Sequence, residues 1–144
     1  MEKAIIYYSK TGNTENIVKR MSSFKALKVV PENDNPNIQN PVIVDSPEVK
    51  GYQEIIFASP VHGFQLAIVM RKYLESLDDL NGKTSDIFVT HHFPFVWMGG
   101  NSTLKQMKTI IESKNGQVRH MTSINWTSKK REKCITDMIA KYQD

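Results

Sequence analysis

Six consecutive residues near the amino terminus offer the groups that bind an anion. They supply three hydroxyls, one side-chain amide and a run of backbone N–H groups, and they are Ser9, Lys10, Thr11, Gly12, Asn13 and Thr14. Gly12 permits a backbone conformation that a larger residue resists, and a helix N-terminus just after the loop favours a negative ligand. The loop matches neither the Walker pattern nor G-x-G-x-x-G, so it suits one terminal phosphate. The alternative is an ordinary turn in which Asn13 or Thr14 caps the helix.

Two further segments combine aromatic rings with glycines. The first holds Ser59, Pro60, Val61, His62 and Gly63, followed by Phe64. The second begins at Thr90 and contains His91, His92, Phe93, Phe95, Trp97, Gly99 and Gly100. So many rings in loop positions indicate a flat ligand or a partner that covers them. The alternatives are that some rings pack into the core and that the glycine pair forms a plain turn. His91 and His92 point to opposite sides of an extended backbone, so no metal site is expected.

Strand and helix patterns alternate along the chain. Apolar runs rich in β-forming residues predict five strands, at Ala4–Tyr8, Ala26–Val30, Glu54–Ala58, Ser85–Thr90 and Val118–Trp126. Apolar stripes at helical spacing predict four helices, at Asn13–Phe24, Leu66–Leu77, Ser102–Ser113 and Ser128–Tyr142. The segment Pro31–Gln53 is rich in Pro, Asn and Asp, and we expect mostly an irregular connection there.

This alternation predicts one α/β domain over residues 1–144. Continuously apolar strands are typical of a parallel sheet with helices on both faces. In such sheets the ligand lies beyond the carboxyl ends of the strands, at the switch point in strand order. The three polar or aromatic segments follow predicted strands, so we expect them to meet at that edge.

Composition narrows the functional classes. The 144 residues include one cysteine, Cys134, which excludes an intrachain disulfide and which we expect in the core. No signal peptide and no apolar run of about 20 residues is visible, so we expect a cytoplasmic protein without membrane insertion. The net charge is +4. Its densest basic run, Lys129 to Lys133, is interpreted as a solvated helix face, and no motif for binding nucleic acid is present.

Three motifs resemble those of the flavodoxin family. Tyr8-Ser9-Lys10-Thr11-Gly12-Asn13-Thr14 resembles its signature aromatic-Ser/Thr-x-Thr-Gly-Asn-Thr, in which the loop wraps the phosphate of FMN. Ser59–Gly63 is similar to the family's Thr/Ser-Pro-x-x-Gly loop. The resemblance also reaches Met98–Ser102, and the three segments follow one another in the order and spacing of the family. The resemblance implies a flavodoxin-like three-layer α/β/α sandwich, with a five-stranded parallel sheet in the order 2-1-3-4-5. It also implies that the peptide at Gly63 turns over when FMN gains an electron.

The same resemblance implies a carrier that holds FMN non-covalently and shuttles single electrons between redox proteins, as a monomer. The alternative is an FMN-dependent NAD(P)H:quinone reductase on this fold, and the short chain favours the carrier. The chain departs from the family in being basic, with no acid in Ser59–Arg71 or His91–Gln106. The family's tryptophan and tyrosine stacking pair is also not evident in this sequence, so His62 and one of Phe93, Phe95 or Trp97 would have to serve.

Overall fold

Five parallel strands form the central sheet of the computed structural model, which describes residues 2–92 and 100–143. In chain order they are β1 (Lys3–Tyr7), β2 (Lys25–Lys28), β5 (Glu54–His62), β7 (Thr84–His91) and β8 (Gln117–Asn125). They lie side by side in the order β2-β1-β5-β7-β8. The order predicted from the sequence is thereby confirmed, and it places the switch point between β1 and β5.

Four helices cover the two faces of this sheet. They are α1 (Asn13–Lys19), α2 (Ile68–Glu75), α3 (Gly100–Ser113) and α4 (Arg131–Tyr142). Side chains alternate along each strand, so Ile5 and Tyr7 pack with α1 and α4, whereas Ile6 and Tyr8 pack with α2 and α3. The predicted three-layer arrangement is confirmed. None of the described helices has the length and apolar character needed to cross a bilayer.

The central strand β5 is longer than the sequence predicts. Ser59 and Pro60 were expected to end it, but β5 continues to His62 and pairs with β7 as far as Pro60. The carbonyl of Ala58 faces β1, where it accepts from the Tyr8 N–H. Pro60 faces the same side, beyond the end of β1, so its missing N–H costs no bond to that strand.

Beyond Pro60, the strand folds back as a hairpin. Val61 and His62 pair with the short antiparallel strand β6 (Gln65–Leu66), which is a sixth member of the sheet. The two turn residues, Gly63 and Phe64, have φ of +55° and +65°, as two-residue hairpin turns of type I′ require. The predicted second loop is therefore a hairpin with a two-residue turn.

The connection between β2 and β5 contains a small sheet that was not predicted. Strands β3 (Val30–Pro31) and β4 (Ile43–Asp45) pair antiparallel. Val30 was expected in the second strand of the main sheet, but β2 ends at Lys28. The rest of Pro31–Gln53 contains no helix. Strands of two and three residues are too short to give a readable periodicity, which explains why the sequence pattern missed them.

The prediction that Cys134 lies in the core is wrong. Its side chain is exposed on α4, whereas Ile135, Met138 and Tyr142 are buried. Successive helical residues are about 100° apart, so Cys134 lies beside the buried stripe and outside it.

A buried carboxylate holds the edge strand β8 at an irregularity in its register. The pairing shifts between Ser85 and Ile87, and Asp86, which is 4% exposed, occupies this position. One carboxylate oxygen accepts from the His120 N–H at 3.0 Å, and the other lies 2.8 Å from the Arg119 guanidinium. The ion pair therefore fixes β8 near its amino-terminal end, opposite the edge where the site is expected.

Candidate functional site

A cleft of about 620 Å³ opens at the carboxyl edge of the sheet, within the range of small-molecule pockets. Its walls come from the loop after β1, the β5–β6 hairpin, the end of β7 and the β2–β5 connection. The lining residues are Lys10, Thr11, Pro36, Asn37, Val61, His62, Gly63, Gln65, Leu66, Ile68 and His92. Six of them are candidates from the sequence: Lys10, Thr11, Val61, His62, Gly63 and His92. The structure therefore brings all three predicted segments to one cleft.

The loop from Ser9 to Thr14 is held by contacts to other elements. Gly12 has φ of +97° and is the N-cap residue of α1, which has no side-chain cap bond. The Asn13 amide lies 3.1 Å from Nε2 of His92. The Thr14 hydroxyl lies 2.9 Å from that of Thr90. The alternative in which Asn13 or Thr14 caps the helix is thus not observed.

Ser9 lies inside the loop rather than on the cleft wall. It is 6% exposed, and its hydroxyl accepts from the Glu15 backbone N–H at 3.3 Å. Glu15 in turn accepts from the Tyr7 hydroxyl at 2.8 Å and pairs with Lys28 at 3.2 Å. These two contacts hold the pKa of Glu15 below its usual value, so a carboxylate is fixed behind the loop.

The β2–β5 connection lines the cleft with Pro36 and Asn37, and it is anchored nearby at Asp34. The Tyr8 hydroxyl donates a short hydrogen bond to the Asp34 carboxylate, and the Lys10 ammonium donates to the Asp34 carbonyl at 2.8 Å. Side-chain amides of two asparagines, Asn33 and Asn35, accept from backbone N–H groups two residues on. These local turns present Pro36 and Asn37 to the cleft.

His62 forms another part of the cleft wall. Its ring meets the Tyr8 ring edge-on, with centroids 6.0 Å apart. Burial lowers the pKa of His62 below its ordinary value, which the Asp34 charge opposes and the Lys10 charge reinforces. Burial, together with the hydrogen bond to Asp34, raises the pKa of Tyr8. Burial therefore favours the neutral form of both rings.

Residues at the end of β7 take different positions. Thr90 and His91 are buried, whereas His92 is exposed at the cleft. The divergence of the two histidines is what an extended backbone predicts. Ser59 is also buried, with its hydroxyl donating to the Pro60 carbonyl at 3.0 Å.

Gly100 begins α3 and allows a close approach between α3 and β8. A Cβ at this position would lie 2.4 Å from the Ser123 hydroxyl, which is closer than packing permits. The candidates Phe93, Trp97 and Gly99, and the ring of Phe95, lie outside the described residues.

Sequence reasoning missed several cleft residues, and one signal could have found some of them. Pro36 and Asn37, with the nearby Asp34, belong to a connection of more than 20 residues, a length at which loops are often functional. The Asn- and Pro-rich composition marks turns within it. Gln65, Leu66 and Ile68 were missed for another reason, since the hairpin that carries the first two was not predicted.

No protein-family model and no curated protein matches the sequence. Solved structures do match. Oxidised flavodoxin 2 from Bacillus cereus has a TM-score of 0.70 at 14% identity, covering 99% of this chain and 98% of that chain. A flavoprotein in complex with FMN from Lactobacillus acidophilus NCFM has a TM-score of 0.68 at 14% identity, covering 85% and 92%.

A third similar structure is a flavodoxin, WrbA-like protein from Agrobacterium tumefaciens. Its TM-score is 0.68 at 11% identity, covering 97% of this chain and 93% of that chain. At these identities the likeness concerns the fold. The strand order, the three layers and the solved structures together show that this chain has the flavodoxin-like fold.

Proposed function

We propose that this chain binds FMN non-covalently in the cleft and carries single electrons between redox proteins. The observation that carries the proposal is the meeting of the hydroxyl-rich loop 9–14 with the β5–β6 hairpin at one cleft of a flavodoxin-like fold. The similar structure from Lactobacillus acidophilus is described in complex with FMN. Because no G-x-G-x-x-G is present for a pyrophosphate, the ligand is FMN rather than FAD.

The donor groups of the loop fit a phosphate. Thr11 and Asn13 offer a hydroxyl and an amide, Lys10 brings a positive charge, and charge-assisted hydrogen bonds are the strongest kind. Gly12 has a positive φ, a conformation found in loops whose successive backbone N–H groups bind an anion. Ser9 and Thr14 support the loop from inside the protein, because both are buried and hydrogen-bonded to other protein groups.

The hairpin fits the ring. Val61 and His62 form an apolar and aromatic wall, and Gly63 stands at its tip. Ser59 and Pro60 carry the strand to that wall, and Gly100 admits α3 close to β8. Phe93, Trp97 and Gly99 are proposed as ring contacts from the sequence. Bound FMN would accept and return single electrons, while the protein binds it, orients it and limits its contact with water.

The absorption spectrum and the mass of any cofactor released from the purified protein test this proposal. Thr11→Val should weaken FMN binding at least about tenfold, because a hydrogen bond to a charged group contributes about 1.5–3 kcal/mol. Thr136→Val makes the same change on the exposed side of α4 and should leave the affinity unchanged. FAD as the tight ligand, or equal affinities in both variants, contradicts the proposal.

The second candidate is an FMN-dependent NAD(P)H:quinone reductase. The cleft volume and the exposure of Asn37 and His92 at its rim support it, because they leave space for a second ligand. Chain length does not argue against it strongly, since this chain covers 93% of a WrbA-like flavodoxin. Steady oxidation of NADPH with a quinone, in the absence of another reductase, would establish the enzyme. Reduction only by a separate reductase would favour the carrier.

A further inference from the structure

A basic surface lies where β8 joins α4. We call it the basic face, and it consists of Arg20, Lys129, Lys130, Arg131 and Lys133. Lys129, Lys130 and Lys133 are exposed, and the Lys133 side chain is 76% accessible. If these residues formed only a solvated helix face, there would be no reason for them to lie close to the cleft, as they do.

Two hydrogen bonds connect residues 126 and 127, just before the basic face in the chain, to the rim of the cleft. The Trp126 N–H donates to the His91 carbonyl at 2.7 Å, and the Thr127 hydroxyl donates to the His92 carbonyl at 3.4 Å. His92 itself contacts Asn13 at 3.1 Å. A protein seated on the basic face would therefore stand next to the proposed cofactor.

Contacts among residues 126–132 and with Arg20 hold the basic face in one conformation. The Arg131 guanidinium lies 4.5 Å above the Trp126 ring and donates to the Trp126 carbonyl at 2.7 Å. Arg20 pairs with Glu132 at 2.8 Å, which ties α4 to α1. A preorganised surface loses less conformational freedom on binding. Trp and Arg are also the residues that most often dominate protein interfaces.

We propose that the basic face docks the acidic surface of the protein that exchanges electrons with this chain, which rests on the proposed function above. Opposite charges steer the encounter and fix the orientation of the complex. The acids Glu132 and Asp137 lie among the cations, and Lys133 pairs with Asp137 at 2.8 Å. A surface of both signs suits a protein partner better than a uniform row of phosphates.

The test uses a plant-type ferredoxin, which is strongly acidic, as the probe, and the full chain with and without FMN. Lys129→Gln/Lys130→Gln should lower the affinity about fivefold at low ionic strength, as expected for exposed charge pairs. The matched control is Lys25→Gln/Lys50→Gln. It removes the same charge from exposed positions at or near the amino-terminal ends of β2 and β5, and its effect should stay below about twofold.

A second measurement needs no substitution. Cys134 is exposed on α4 next to Lys133 and is the only cysteine. A polyethylene glycol maleimide on Cys134 should block ferredoxin binding, whereas the small iodoacetamide adduct should not.

Three outcomes would overturn the docking proposal. They are equal losses in the two double variants, ferredoxin binding that the bulky adduct leaves intact, and preferential binding of a DNA duplex or phosphatidylserine vesicles over ferredoxin. Binding is measured also without FMN, and the cofactor is assayed separately by absorption. Failure to bind FMN and failure to dock are therefore distinct results.

Discussion

The hydroxyls of Thr14 and Thr90 lie 2.9 Å apart, and both side chains are buried. This bond joins the first turn of α1 to the last residues of β7. It ties the loop proposed to bind phosphate to the strand that leads to His92. The two residues come from different predicted segments, so their contact is direct evidence that these segments converge.

Removing both of these hydroxyls should cost less stability than the sum of the two single removals. Thr14→Val leaves the Thr90 hydroxyl buried without its partner, which costs about 1–3 kcal/mol of unfolding free energy, and Thr90→Val acts likewise. The double variant replaces both hydroxyls with methyl groups and should lose less than the sum. Urea unfolding of the four proteins measures this coupling. Strictly additive losses would mean that the bond contributes nothing to stability.

Gly63 should control the redox behaviour of bound FMN. A Cβ at Gly63 meets no atom within 4 Å, but its φ of +55° is strained for other residues, by about 1–2 kcal/mol. The flavodoxin resemblance implies that this peptide turns over when FMN gains an electron, and Gly63→Ala should hinder that change. We expect less one-electron-reduced flavin at half reduction, with oxidised FMN still bound, in a dithionite titration followed by absorption.

Gly51 provides the matched control for Gly63. It too has a positive φ, +92°, with no atom within 4 Å of an added Cβ, and it precedes β5 at the opposite edge of the sheet. Gly51→Ala should lower stability by a similar amount and leave the flavin titration unchanged. If Gly63→Ala also left the titration unchanged, the assignment of this hairpin to the ring would be wrong.

The sequence patterns predicted those parts of the fold that depend mainly on residues close together in the sequence. The parallel sheet covered by helices follows from continuously apolar strands joined by amphipathic helices, whereas its strand order was implied by the resemblance to flavodoxins. The loop 9–14 carries its polar groups within six residues. The extension of β5 past Pro60 depends instead on β1 ending first, which no local pattern reveals. Asp34 reaches Tyr8 across 26 residues of sequence, and only the folded connection brings the two side chains together.

Asp34 changes an expectation about charge at the site. The two predicted ring loops contain no acid, which implied little repulsion of reduced FMN. Asp34, which belongs to the β2–β5 connection, instead brings a carboxylate to Tyr8. Asp34→Asn should therefore make the last reduction step of FMN easier, with a less negative potential. Asp45→Asn, the same change on the exposed strand β4, should not shift the potential in a redox titration.

Asp86 should be the carboxylate on which stability depends most. Breaking a buried ion pair costs 3–5 kcal/mol, but the Arg119 side chain is 33% exposed. We therefore expect Asp86→Asn to cost about 2–3 kcal/mol of unfolding free energy. Glu54→Gln removes the longer 3.6 Å contact to the same guanidinium and should cost less than about 1 kcal/mol. Urea unfolding compares the two, and equal costs would show that burial of Asp86 does not matter.

His62 should make the protein less stable as the pH falls. Burial lowers its pKa below the ordinary value of 6.5, so the unfolded chain takes up the proton first as pH falls. Between 6.5 and the lower pKa of the folded state, the unfolded state binds more protons, and the unfolding free energy decreases as pH decreases. Urea unfolding of the cofactor-free chain above and below this window should show that His62→Gln loses less stability than wild type.

The charged groups near His62 allow the predicted direction of this pH dependence to be checked. The Asp34 charge raises the pKa of His62, whereas the Lys10 charge lowers it, and the Tyr8 ring is neutral. Asp34→Asn should therefore lower the pKa of His62 further and enlarge the loss of stability on acidification. In the double variant with His62→Gln, that extra loss should vanish. An extra loss that persists without His62 would place the pH-sensitive group elsewhere.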